Sequence, residues 1–425
     1  MNTAPAFAQL RLKYLATIND QALSEDTDPD YELQYVDIGN VDSAGSIHEV
    51  VTYRFADAPS RARRRAYHGD VIISTVRTYL QAIAAVERPP ENLIVSTGFA
   101  VVHPHADYFD TRFCKYALRE PGFLAEVIRR SLGVSYPAIN ASDLGDLPVY
   151  LPPLQRQHSI ADYLDRETAR LDGLVAAKEK LIKLLAEKRR ALITRAVTRG
   201  LHPQTPFRDS SVPWLGRIPA HWILDRAKFV FRQSSLPVRE EDEVVTCFRD
   251  GQVTLRRKRR LEGFTVAEKE LGYQGIRVGH LVLHSMDAFA GAIGVSDSAG
   301  KCSPEYIICD PCDSRTDSRY YAHTLRTMAL AGFIQASCAA VRERAPRIRF
   351  SDLGEMSLPV PPFQEQRAIA AYISKGTANL DALRAATERT IALLKERRAA
   401  LIVAAVTGQM DIGDPVAAQP SDGVY

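Results

Sequence analysis

The stretch "PPLQRQHSIADYLDRETARLDGL" at residues 152–174 returns as "PPFQEQRAIAAYISKGTANLDAL" at 361–383. Extended without a gap, residues 152–198 align with 361–407, and 26 of the 47 positions are identical. Upstream, "SDLGDL" (142–147) answers "SDLGEM" (351–356) at the same offset, and "DTRFCKYALR" (110–119) resembles "DSRYYAHTLR" (317–326). The pairs "GDVIIS" (69–74) and "GHLVLH" (279–284), then "RLKY" (11–14) and "RAKF" (226–229), carry the likeness back to the start of each half. The chain is therefore two copies of one unit of about 210 residues, far longer than the 20–50 residues of a solenoid repeat.

The strongly matched segment predicts a helix in each copy. A Pro pair disfavours helix just before it, and residues 156–198 hold no Pro and one Gly. Apolar residues fall at Ile160, Leu164, Leu171, Leu174, Leu181, Leu185 and Leu192, with Lys178 and Lys188 interrupting the stripe. The second copy gives Ile369, Ile373, Leu380, Leu383, Leu394 and Leu401, with Thr387 and Arg397 at the gaps. This 3–4 spacing predicts helices of roughly 40 residues, about 60 Å long. A stripe of that length needs a partner. The other copy supplies one, so the two helices are expected to pack as an antiparallel coiled coil, although packing on its own globule is the competing arrangement. Pro153, Gln157, Leu171, Leu174, Leu185 and Leu192, with Pro362, Gln366, Leu380, Leu383, Leu394 and Leu401, mark these helices as spacer and docking elements.

Outside them, "DVIIST", "NLIVSTGFAVVHP", "GHLVLHS" and "EYIICDP" read as strands, whereas "TRFCKYALRE" and "SRYYAHTLRTMALAGFIQASCAA" read as helices. The expected fold class is α+β, in two pseudo-symmetric halves, each a mixed α/β domain feeding a long helix. Boundaries follow as 1–150 and 226–357 for the two domains, 151–200 and 358–410 for the helices, 201–225 for a Pro-rich linker, and 411–425 for a disordered tail.

Composition is that of an ordinary globular protein, 46% hydrophobic and 25% charged. No leader and no membrane-spanning run is visible, so a soluble cytoplasmic protein is expected. The net charge of +3 is uninformative, but basic residues cluster. Arg61, Arg63, Arg64 and Arg65 form one group, and Arg256, Arg257, Lys258, Arg259 and Arg260 a second. Arg342, Arg344, Arg347 and Arg349 form a third. Such runs are either solvated faces or phosphate-contacting surfaces, and their presence in both halves favours DNA. The first two clusters are assigned to DNA contact, together with Arg77, which follows a predicted strand and is either a base contact or a salt-bridge partner within its domain.

The sequence carries no familiar catalytic motif. Six cysteines offer one CxxC, Cys309 with Cys312, where structural zinc wants four ligands. No metal or cofactor is expected. The Pro pairs lack the Asn or Asp of an adenine-methylating loop, and "GVSDSAGKC" (294–302) fails the phosphate-loop spacing and its Ser/Thr. A non-catalytic binder is expected.

The two repeats, "SDLGDLPVYLPPLQRQ…ALITRAVTRGL" and "SDLGEMSLPVPPFQEQ…ALIVAAVTGQMD", resemble the conserved regions of the specificity subunit of type I restriction–modification enzymes, and "VPWLGRIPAHWILDRAKFVF" (212–231) resembles that family's lead-in to a recognition domain. The first half lacks this lead-in. The resemblance implies two target-recognition domains that read the halves of an asymmetric double-stranded DNA site. It also implies spacer helices on which two methyltransferase subunits dock and through which restriction–translocase subunits join. A coiled-coil scaffold without DNA reading is the alternative.

Overall fold

The computed structural model describes residues 7–42, 45–133, 135–259, 271–337 and 347–412. Cys338, Arg260, Arg342, Arg344 and the expected tail from residue 413 lie outside them. The chain divides into two compact units: residues 1–179 with 388–425, and residues 180–387. Each unit contains one globular domain and a half of each long helix.

The two domains share a frame. In unit one a four-stranded antiparallel sheet runs Ala16–Ile18, Phe99–Pro104, Val71–Ser74, Ile83–Ala85. In unit two the order repeats as Phe231–Gln233, Tyr306–Pro311, Leu281–His284, Ile293–Val295. The central strands are apolar because both faces are covered. Val71 and Ile73 join the core under the helices, while Ile72 faces a second cluster with Val95 and Val101. Leu281 and Leu283 divide from Val282 in the same way, as a side-chain period of two requires. The strand that enters each domain pairs antiparallel with the strand that leaves it, Gln9–Arg11 with Pro148–Tyr150 and Ile223–Arg226 with Ser357–Val360. Each long helix therefore starts beside its own domain's entry point.

A cross-strand His–Asp contact is kept with its roles exchanged. Asp70 bonds His103 in unit one, and His280 lies 3.1 Å from Asp310 at the matching register in unit two. The domains diverge where unit one adds a sheet of order Val51–Arg54, Glu32–Val36, Leu93–Ser96, Ala62–Arg65.

Residues 201–225 are not a linker. Phe207–Asp209 pairs with Arg217–Pro219, and Leu215, Ile218 and Trp222 are buried in the core of unit two. Trp222 packs edge-on to Tyr320. The Pro and polar residues that suggested a linker form turns around this hairpin. At the other end, Asp411 bonds Arg156 and Ile412 packs on the core of unit one, so these two residues are ordered into the fold rather than tail.

The long helices are Leu154–Arg199 and Phe363–Val406, and they pack as an antiparallel coiled coil. In unit one Asp172 pairs with Arg398 at 3.0 Å, while Ile160 and Leu164 share a core with Ile402 and Val406. In unit two Arg189 pairs with Asp381 at 3.2 Å and Leu192 lies over Gly376. The two ion pairs occupy equivalent positions of the repeat, 209 residues apart. Inward positions step alternately by 4 and 3 from Gln157 to Ala196 and again from Gln366 to Ala405, buried or half-buried throughout except at Arg384.

This register corrects the expected stripe by one residue at several places. Leu174 and Leu383 are 43% and 48% exposed because Val175 and Arg384 hold the inward positions beside them. Arg189 and Arg398, rather than Lys188 and Arg397, interrupt the seam. Leu171 and Leu185 are buried, and Leu192, Leu380, Leu394 and Leu401 are half-buried, as a seam requires.

One difference between the copies has a measurable consequence. The helix Thr111–Ala117 carries Tyr116, whose hydroxyl donates to Asp165 at 2.7 Å; the helix Ser318–Leu330 carries His323 at that position. Burial, reinforced by Arg326 and Arg189 and opposed by Asp317, pushes the His323 imidazolium down to about 4. Its folded value lies below the ordinary value of about 6.5. Its contribution to stability is therefore complete above pH about 6.5 and is lost as pH falls from there towards 4, reaching about 3 kcal/mol. His323→Phe is expected to remove that part of the acid destabilisation, measured as the difference in Tm between pH 7.5 and 4.5. An identical pH dependence in the variant would refute the assignment.

Candidate nucleic-acid interface

The arginine strand Ala62–Arg65 sits on the added sheet of unit one, with Ala62 buried. Arg61 is 61% exposed and 3.7 Å from Asp37. The Arg63 guanidinium lies over Phe55 at 4.8 Å and that of Arg65 over Tyr31 at 5.9 Å. These three present cations held against aromatic faces or a carboxylate at the surface. Arg64 differs: it donates to the carbonyl of Phe99, and burial lowers its pKa. This contact ties Arg64 to the strand Phe99–Pro104, unlike its two neighbours.

The hairpin loop between Val71–Ser74 and Ile83–Ala85 carries Arg77. Arg77 and Gln81 adopt φ of +54° and +52°, left-handed values that a side chain disfavours. The loop is pinned by the Arg77 N–H donating to the carbonyl of Pro137 at 2.8 Å. The guanidinium lies 4.8 Å over Tyr136, and Tyr79, Tyr136 and Leu132 are exposed beside it. An arginine, two tyrosines and a leucine thus form an exposed cluster, with Arg77 and Tyr79 on a loop whose flanking residues, Arg77 and Gln81, hold a costly backbone conformation.

Unit two has the same loop in the same frame with other chemistry. A short 3-10 turn, Ala288–Ala290, replaces Thr78–Leu80, and Gly291 (φ +97°) replaces Gln81. Asp287 takes the place of Arg77 and pairs with Arg249 at 2.8 Å. Met286 is exposed there and Phe289 half-buried.

The basic run of unit two is not a free cationic face. Within the turn Arg256–Lys258 and just after it, Arg257 pairs with Glu243 at 2.5 Å and Lys258 lies 3.8 Å from Asp297. Arg259 pairs with Asp250 at 2.6 Å and stacks on Phe248 at 4.2 Å. Arg256 donates to the Thr246 hydroxyl at 3.3 Å. Three carboxylates from neighbouring segments thus balance three cations. Arg347 of the third cluster pairs with Glu305 at 2.9 Å.

The opening hexapeptides resolve into a clamp. The Pro153 and Pro362 carbonyls accept the first helical N–H bonds. Gln157, fully buried, accepts from the Asp110 N–H and donates to the carbonyls of Tyr108 and Pro152, all at 2.8 Å. Gln366 repeats this with the Asp317 N–H at 2.9 Å, Pro361 at 2.8 Å and Arg315 at 3.3 Å. These glutamines fasten each helix to its own domain and offer no surface to a partner. The exposed leucines among the described residues of the long helices are instead Leu174 and Leu383, then Leu184 and Leu393, each pair at equivalent positions of the repeat. The last pair carried a signal in the sequence, since both leucines are identical in the alignment yet fall outside the stripe.

The family described as type I restriction modification DNA specificity domain matches residues 62–184. The EcoDI specificity subunit of Escherichia coli is 22% identical over 330 residues, covering 71% of this chain and 70% of that protein. The EcoBI specificity subunit of the same species is 23% identical over 347 residues, with 75% and 70% covered. The chain is similar to type I specificity subunits.

A putative MjaX specificity subunit of Methanocaldococcus jannaschii is 25% identical over 166 residues, a match spanning 37% of that protein. Among solved structures, a chain from work on complex assembly and conformational transition of the type I R-M system superposes with a TM-score of 0.75 at 21% identity, covering 96% of this chain and 100% of that one. The HsdS subunit from Thermoanaerobacter tengcongensis gives 0.56 at 22%, with 96% and 99% covered. The fold is thus that of the specificity subunits. No helix among the described residues is long and apolar enough to cross a membrane.

Proposed function

We propose that the chain reads a split, asymmetric site on double-stranded DNA, one half through each globular domain, and performs no chemistry itself. The long helices set the interval between the half-sites. Two methyltransferase subunits dock on the helices, and restriction–translocase subunits join through them, in the cytoplasm where the DNA is accessible. The observation that carries this reading is one frame with two chemistries: identical strand order and helix clamp in both domains, but Arg77 with Tyr79 on one hairpin loop and Asp287 with Phe289 on the other. A scaffold without DNA reading accounts for the helices and leaves the divergent loops unexplained.

Base edges are read by side chains such as Arg, whereas phosphate contacts fix position. Arg77 is assigned to base reading, and Arg61, Arg63 and Arg65 to phosphate. The paired run at 256–259 contacts phosphate only by exchanging its carboxylate partners, so it contributes less to the salt dependence. The exposed Leu174, Leu184, Leu383 and Leu393 are assigned to methyltransferase docking.

Genome-wide mapping of methylated positions in a strain carrying the chain tests the reading. A two-part sequence with a fixed gap is expected. Arg77→Ala is expected to relax one half only, at a cost of about 1–3 kcal/mol. Leu174→Glu combined with Leu383→Glu is expected to abolish methylation of both halves. Unaltered affinity and sequence preference in Arg77→Ala would remove that loop from the interface.

A further inference from the structure

Unit two contains a cavity of about 840 Å³, bounded by its halves of the two long helices and by the helix Ser318–Leu330. This is the size of a small-molecule site. Much of its wall is apolar, with Leu185, Ile193, Ile293, Val295 and Leu380 among the contributors. Against that wall stand five arginines, Arg189, Arg190, Arg319, Arg326 and Arg384, and two aspartates, Asp250 and Asp381. Leaving Arg384 out of the balance and counting ion-pair partners just outside the wall, Arg259 on Asp250 and Asp317 on Arg319, five arginines meet three aspartates, an excess of two positive charges. His323 adds none at neutral pH, because burial keeps it unprotonated. Arg326 is largely withdrawn from solvent and donates to the Arg249 carbonyl at 3.2 Å.

A second hollow of about 660 Å³ adjoins the first, sharing Thr194 and Trp214, and adds Arg195 and Arg199 with no carboxylate in its wall. Trp214 is half-buried and lines both. Guanidinium groups suit phosphate oxygens, and an indole face suits a flat ring.

The excess belongs to unit two alone. At the equivalent positions unit one has Lys115 for Ala322, Tyr116 for His323, Val175 for Arg384 and Ala399 for Arg190. Lys115 and Tyr116 are satisfied there by Asp165, at 2.9 Å and 2.7 Å. A helix-to-domain junction therefore needs no such cluster, and a role specific to one copy must account for it.

We propose that this cavity binds a phosphorylated nucleoside, with its ring against Trp214 and its phosphates among Arg190, Arg195 and Arg326. A concave site of this volume excludes duplex DNA, and its apolar wall and indole exceed what a bare anion uses.

The chain has two tryptophans, of which Trp222 is buried in the core, so the part of an emission change that is lost in Trp214→Phe reports on the cavity. The full chain alone is titrated separately with ATP, adenosine, pyrophosphate and a single-stranded oligonucleotide. ATP is expected to change the emission saturably, and adenosine and pyrophosphate to bind about tenfold more weakly or worse. Arg190→Ala with Arg195→Ala, both at exposed positions, is expected to weaken ATP at least about tenfold. His323→Tyr, which installs the residue of unit one, is expected to narrow the cavity and abolish the response. No saturable change with ATP overturns the proposal, as does binding by either variant that equals the wild type. Pyrophosphate or the oligonucleotide binding as tightly as ATP overturns the nucleoside assignment. The readout involves no duplex and no methylation, so its failure leaves the reading of a split DNA site standing.

Discussion

Deleting residues 175–181 together with 384–390 is expected to shorten the gap between recognised half-sites by about three base pairs while leaving both half-sequences intact. The seven residues removed from each helix span about 10 Å, and each base pair of B-DNA rises about 3.4 Å. A heptad is the natural unit to remove, because inward positions alternate by 4 and 3 and a seven-residue cut restores their phase. On the original site the variant can engage only one half correctly. Specific binding typically exceeds non-specific binding by about 4–10 kcal/mol, so forfeiting half of that weakens the original site by roughly 30–5,000-fold. Selection from duplexes with randomised gap length, followed by sequencing, measures the shift. Recovery of altered half-sequences at an unchanged gap would mean that the helices read DNA instead of measuring it, and the split-site proposal would fail. A four-residue deletion serves as contrast, since it breaks the phase between Leu171 and Leu185 and is expected to destabilise the seam locally.

The buried glutamines give the second large effect. Gln366→Leu keeps the volume but strips the amide from the Asp317 N–H and from the carbonyls of Pro361 and Arg315. Each buried backbone group left without a partner costs about 1–3 kcal/mol, and some relaxation or water entry is inevitable, so a loss of about 2–4 kcal/mol is expected. For a unit of about 200 residues this lowers Tm by roughly 5–15 °C. Gln157→Leu is expected to do the same in unit one through Asp110, Tyr108 and Pro152. Thermal unfolding of the two single variants measures both losses. A shift below about 2 °C in either would show that the clamp is dispensable and that the recurring hexapeptide has another cause. Because the clamp joins helix to domain, the variants are also expected to blur the preferred gap, whereas a loss of stability elsewhere in a domain would leave the gap sharp.

The resemblance between the halves was legible before any coordinates because a fixed offset of 209 residues with 26 identities in 47 positions is a property of the sequence. The strands "DVIIS" and "LVLH" were legible for a local reason, since strands covered on both faces must be continuously apolar. The helix seam was legible as a stripe but not in its phase. Seam positions in these helices include Gln157, Thr168, Lys178 and Arg189, so apolar residues alone leave two adjacent registers nearly equivalent. Leu174 and Leu383 then look like seam residues although they face solvent.

The basic clusters show the same limit. "ARRR" and "RRKR" are alike as strings, yet Arg64 turns inward to the Phe99 carbonyl while Arg257 and Arg259 meet Glu243 and Asp250. Charge is counted along the chain, but pairing is decided across it.

By itself the sequence determined a duplicated α+β unit, the two long helices and the absence of familiar catalytic motifs, because repeats, helical period and motif spacing are all carried by residue order. Tertiary structure decided the seam's register, the packing of Trp222 and its hairpin into a core, and which arginines keep an open face. It also placed Arg190, Arg326 and Trp214 around one cavity, 136 residues apart at their extremes. The reason is physical: these outcomes depend on which distant side chains share a volume, and burial and Coulomb energy act through space.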